Sequence, residues 1–70
     1  MKTTVDKRQV KNETYRLANL GYARGFAIQI AKGKSYYTID YLGWVDAASA
    51  RAYFYQFIEK KKGDNENGFN

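Results

Sequence analysis

Bulky apolar residues fall on every second position between Arg24 and Leu42. Phe26, Ile28 and Ile30 alternate with Ala27, Gln29 and Ala31, and Tyr37, Ile39 and Tyr41 alternate with Tyr36, Thr38 and Asp40. Period two with β-branched and aromatic side chains predicts two strands. Lys32-Gly33-Lys34-Ser35 between them supplies a glycine for a tight turn, so the pair reads as an antiparallel hairpin. Its expected apolar face is Phe26/Ile28/Ile30 with Tyr37/Ile39/Tyr41; its expected polar face is Ala27/Gln29/Ala31 with Tyr36/Thr38/Asp40. From Asp46 to Lys62 the period changes to that of a helix. Ala47, Ala50, Phe54, Phe57 and Ile58 form a stripe with Tyr53 at its edge, Asp46 is placed to cap it, and Lys60–Lys62 with Gly63 complement its C-terminal end. Asp6 to Leu20 reads as a further helix, because Val10, Thr14, Leu17 and Leu20 share one face of a 100° wheel, with Asp6 or Thr4 as cap and Gly21 as stop.

The predicted order is helix–strand–strand–helix, an α+β fold in which a hairpin packs against helices. Gly43-Trp44-Val45 offers a short third strand, and Trp44 reads as a packing anchor. Residues 1–62 form one small domain, and 63–70, polar and glycine-rich, form a flexible tail. A domain of 70 residues buries only about 60% of its unfolded surface. With no cysteine for a disulfide, self-association through an open strand edge is a natural source of added stability, so a homodimer is an expected state.

The absence of cysteine and histidine removes the commonest nucleophile–base pairs and zinc ligands. Asp6, Glu13, Asp40, Asp46, Glu59, Asp64 and Glu66 form no motif joining a nucleophile, a base and an orienting group, so no enzymatic role, metal or cofactor is expected. The N-terminal Met1–Asp6 lacks the apolar core of a signal peptide. Uncharged stretches such as Gly25–Ala31 fall far short of the roughly 20 residues of a membrane span, so a cytoplasmic protein is expected.

Charge is uneven. Residues 1–34 carry a balance of +6, residues 35–59 one of −2 and residues 60–70 one of +1, within a net +5. Phosphates dominate nucleic-acid affinity, and exposed tyrosines stack on unpaired bases. The expected contact set is Lys7, Arg8, Lys11 and Tyr15 on the first helix, then Arg24, then Lys32 and Lys34 at the hairpin tip with Tyr36. Tyr15, Tyr22, Tyr36 and Tyr55 are the tyrosines expected to be exposed, and Tyr37, Tyr41 and Tyr53 those beside the core. Solvation alone also accounts for a charged helix face, and lysine at a hairpin tip also discourages edge aggregation.

Residues 34–62 run from an aromatic strand through Leu42-Gly43-Trp44-Val45 into Asp46-Ala47-Ala48-Ser49-Ala50-Arg51-Ala52-Tyr53. This stretch resembles the last strand and helix of AP2-like DNA-binding domains, a layout shared by the arm-binding domains of tyrosine integrases. The resemblance implies a sheet that reads a DNA groove with an alanine-rich helix behind it. It would centre the contact on Arg24, Gln29, Lys32, Lys34, Tyr36 and Thr38. The chain departs from the pattern in two places: a helix is expected where the family has its first strand, and the outer sheet face lacks the arginines such sheets use. The leading expectation is a small, basic, non-enzymatic and regulatory protein that binds DNA or RNA. The alternative is a protein–protein interaction module, an inhibitor or adaptor of the kind phages and mobile elements encode, docking on an acidic partner.

Overall fold

The structure is a computed structural model and describes residues 3–21 and 24–66. Four strands, β1 (Thr3–Val10), β2 (Glu13–Asn19), β3 (Phe26–Lys32) and β4 (Ser35–Gly43), precede one helix, α1 (Ala47–Glu66). The sheet is antiparallel throughout, in the order β1-β2-β3-β4. This corrects the expected helix–strand–strand–helix order. Residues 6–20 are a second hairpin, with Val10 opposite Glu13 across the turn Lys11–Asn12, and Lys11 holds a left-handed φ of 57°. Asp6 lies within a strand and caps nothing, while Gly43-Trp44-Val45 leads from β4 into the helix and forms no third strand of a smaller sheet.

The reason lies in β2. Tyr15 and Leu17 alternate with Thr14, Arg16 and Ala18, and the strand sends the first two to one face. There they meet Ile28 and Val10 and the helix residues Ala50, Phe54 and Ile58 in the buried core. Leu17 and Phe54 are wholly inaccessible. Each burial of that size contributes roughly 1.5–3 kcal/mol. The Tyr15 ring meets Phe57 edge-on at 5.2 Å, and burial first, then the Glu13 charge, raises its hydroxyl pKa. The helix stripe agrees with the expected one except at Ala47, which is exposed. Asp46 caps as expected, its Oδ1 accepting the Ser49 N–H at 3.2 Å. The helix does not stop at Gly63 but continues to Glu66, and the remainder of the expected tail, 67–70, lies outside the described residues.

The β3–β4 hairpin agrees with expectation up to its bulges. Ile28 faces Asp40 and Gln29 faces Thr38, so Ile39 is an extra residue; Phe26 faces Gly43 and Ala27 faces Tyr41, so Leu42 is another. Each bulge reverses the alternation. Asp40 thereby moves to the helix side and Tyr41 to the opposite face, exchanging their expected places. Trp44 is 67% exposed and anchors no core. No helix among the described residues is long and apolar enough to cross a membrane.

Two contacts hold the ends of this arrangement. Tyr55 Oη of α1 donates to Asp6 Oδ2 of β1 at 2.5 Å, and the Arg8 guanidinium lies over the Tyr55 ring and 3.7 Å from the same carboxylate. The Tyr55 hydrogen bond, with smaller help from the Lys7 N–H, Arg8 and Arg51, holds the Asp6 carboxyl below its ordinary value against the opposing effect of partial burial. On the other side of the sheet, between the start of β3 and the end of β4, Gly25 turns with φ +86° directly against the Gly43 carbonyl.

A Cβ at Gly25 would penetrate that carbonyl, so Gly25→Ala is expected to cost more than about 3 kcal/mol. Its thermal unfolding midpoint should fall by more than about 10 °C, or the cooperative transition should vanish. Because the folded pKa of Asp6 is depressed, its contribution is complete above the ordinary value of 3.8 and is lost as pH falls through the lower folded value. Tyr55→Phe should therefore lower urea-unfolding stability by about 1 kcal/mol at pH 7, after allowing for solvent screening. The difference from the unsubstituted protein should narrow as pH falls through the depressed folded value, where Asp6 becomes protonated in both.

Candidate functional site

The helix lies on one side of the sheet, nearest β1 and β2, and the other side is open. Strand register sets the residues on that open face: Lys7 faces Arg16, Arg16 faces Gln29, and Gln29 faces Thr38. Hydrogen bonds join this row across all four strands. Arg16 Nε donates to Gln29 Oε1 at 2.8 Å, Arg16 Nη1 donates to Thr4 Oγ1 at 3.0 Å, and Gln29 Nε2 donates to Thr38 Oγ1 at 3.1 Å. The guanidinium rests 3.6 Å from the centre of the Tyr36 ring. Its cross-strand surroundings, Ala18, Ala27 and Ala31, are too short to rise between them. Gln29, bonded on one side to Arg16 and on the other to Thr38, is only 7% exposed although it points away from the core.

A guanidinium has five N–H donors in a fixed plane. Two are committed to Gln29 and Thr4, leaving three, and the stacking on Tyr36 holds the plane in place. The site is thus an oriented cation whose remaining donors suit phosphate or the acceptor edge of a base.

Charge separates by face. Asp6, Glu13 and Asp40 pair in register with Leu17, Val10 and Ile28 on the helix side, and Asp46 and Glu59 belong to the helix segment. Among the described side chains none of the carboxylates stands on the open face. Arg8 lies 3.7 Å from Asp6, Lys32 3.6 Å from Glu13 and Lys62 3.6 Å from Glu59. Lys7, Lys11, Arg16, Arg24 and Lys34 have no ion-pair partner among the described residues.

Of the expected contact residues, Lys7 and Tyr36 stand on the open face, Lys11 and Lys34 occupy the two hairpin turns at one end of it, and Arg24 is exposed at the other end. Arg8 and Lys32 are on the helix side and ion-paired. Tyr15 is corrected outright: it is 6% exposed in the core, because the segment is a strand and its odd positions face the helix. Tyr37, Tyr41 and Tyr53, expected beside the core, are about half exposed, and Tyr22 lies outside the described residues. Arg16 was not among the expected residues. The alternation Thr14-Tyr15-Arg16-Leu17-Ala18 is the signal that places it opposite the core. A second concavity, of about 530 Å³, lies between β1 and α1, lined by Arg8, Gln9, Tyr55, Ile58, Glu59 and Lys62.

No protein-family model, curated protein or solved structure matches the chain.

Gln29→Ala removes both the acceptor of Arg16 Nε and the donor to Thr38. It should lower stability by about 1–2 kcal/mol in urea unfolding. Gln29→Glu, which keeps the acceptor for Arg16, should lose less.

Proposed function

We propose that this chain is a small, non-enzymatic nucleic-acid-binding protein of the cytoplasm, regulatory in role, whose contact surface is the open face of the sheet. The observation that carries this reading is the sorting of charge: five cations without a carboxylate partner lie on that face and at its two ends. In this reading Lys7, Lys11, Lys34 and Arg24 neutralise phosphates, and Arg16, held flat on Tyr36, presents its remaining donors. Gln29 and Thr38 orient Arg16. Arg8, Lys32 and Tyr15 leave the contact set.

The likeness to sheet-reading AP2-like and integrase arm domains supports DNA as one ligand. Strands over residues 3–19 in place of the expected helix, and Arg16 on the outer face, support that likeness, while the outer face of β3 and β4 carries no arginine.

Fluorescence anisotropy with labelled single-stranded and duplex DNA and RNA tests the proposal. For five phosphate contacts, affinity should fall about 10²–10³-fold between 50 and 200 mM salt. The Lys7→Ala/Arg16→Ala double variant should reduce the salt slope by about 2, and Arg8→Ala, on the far face, should leave it unchanged. Absence of binding to every one of these probes at 50 mM salt would overturn the assignment.

A further inference from the structure

Rings and charges on the open face are sorted by strand. On β1 and β2 that face carries Lys7 and Arg16 and no aromatic ring, since Tyr15 points to the helix. On β4 it carries Tyr36 and Tyr41, and β4 contains no lysine or arginine. Between them β3 presents Ala27, Gln29 and Ala31. Both tyrosines are held in place. The Tyr36 ring lies against the Arg16 guanidinium, and the Tyr41 hydroxyl donates to the Arg24 carbonyl. Tyr41 is nonetheless 56% exposed.

Resting on the nucleic-acid reading above, we infer that the ligand of this face is a single strand with unpaired bases and not a duplex. The strand runs along β2 and β3, with its phosphates toward Lys7 and Arg16 and its bases toward Tyr36 and Tyr41. A single strand carries charge on one side and bases on the other, and the face has the same division. Lys11 and Lys34 stand at one end of that path and Arg24 at the other. The β3 positions opposite the two tyrosines, Ala31 and Ala27, lie about 13 Å apart, so each ring has room for its own base.

A duplex suits the same face poorly. β1 and β4 are about 14 Å apart across the sheet, close to the roughly 12 Å width of a major groove. A duplex seated there brings phosphates to both margins, and the β4 margin has no cation along its length to receive the second row. Its base faces are used in its own stack, which leaves the exposed Tyr41 ring without a partner. Reading base edges from a sheet also takes long side chains rising from the middle of the face. Here the middle holds Ala18, Ala27 and Ala31, and the long side chains of Arg16 and Gln29 are bonded to each other and to Thr4 and Thr38.

Anisotropy of the full chain with labelled oligothymidylate and oligouridylate of about 15 nucleotides, and with a blunt duplex of the same length, tests this. Either single strand should bind about tenfold or more tighter than the duplex, and the ratio between the two strands tells which sugar is preferred. Tyr41→Leu should weaken single-strand binding by about 5–150-fold, whereas Tyr41→Phe, which keeps the ring, should stay within about threefold of the unsubstituted protein. Tyr37 is the matched control: it is equally exposed on the same strand but lies on the helix side, so Tyr37→Leu should change nothing. Should Tyr41→Leu lose its fold, ultraviolet cross-linking of the unsubstituted protein to a bromodeoxyuridine strand decides. Attachment at Tyr36 or Tyr41 is expected, and attachment at Tyr37 or none overturns the inference. Duplex bound as tightly as single strand, a folded Tyr41→Leu of unchanged affinity, or an equal loss in Tyr37→Leu each overturns it while the nucleic-acid reading stands. No binding of any probe at 50 mM salt removes both.

Discussion

One helix laid across a four-stranded sheet dries only one face, and that limit shapes the molecule. The contact of Ala50, Phe54 and Ile58 with Leu17, Ile28 and Tyr15 supplies the core. No helix covers the reverse of those strands, and the reverse of a strand is set by its alternation. Leu17 buried between Arg16 and Ala18 thus determines where the guanidinium stands. The same core explains the asymmetry between the edges, since α1 lies nearest β1 and β2 and leaves the β4 side uncovered.

The open face is polar but not loosely so. In the Thr4–Arg16–Gln29–Thr38 row every strand contributes one member, so the hydrogen bonds that orient Arg16 also tie the sheet together. Stability and the orientation of the cation therefore share the same atoms. A surface organised this way presents its cation with little rotameric freedom left to lose on contact. An isolated surface lysine such as Lys7 contributes charge without that order.

About half of the architecture was legible in the residues. The β3–β4 hairpin and α1 with its Asp46 cap announce themselves because alternation and helical period are each unopposed there. Residues 6–20 carried two competing periods. Val10, Thr14, Leu17 and Leu20 suit a helix wheel, whereas Tyr15 and Leu17 suit a strand, and tertiary burial of Tyr15 against Phe57 decides between them. The Lys11–Asn12 turn lacks the glycine that usually marks a tight hairpin, so the break was easy to miss. Bulges leave no comparable trace, and the two in β4 moved Asp40 and Tyr41 to opposite faces. The candidate site inherited these faults: its cations were visible as a cluster in sequence, but their division between an ion-paired side and an unpaired side depends on register alone.

The close approach of Gly25 to Gly43 has a bearing on ancestry. Two points distant in the chain are pressed together so tightly that one of them admits no side chain whatever. Diverging descendants of this sequence are free to exchange most surface positions yet are bound to keep that bare spot, the more so because its left-handed turn suits nothing else as well. A glycine ahead of a Phe-Ala-Ile-like strand, answered by another closing the following hairpin, is accordingly the hallmark by which distant kin of this fold would be recognised after their charges and tyrosines had drifted.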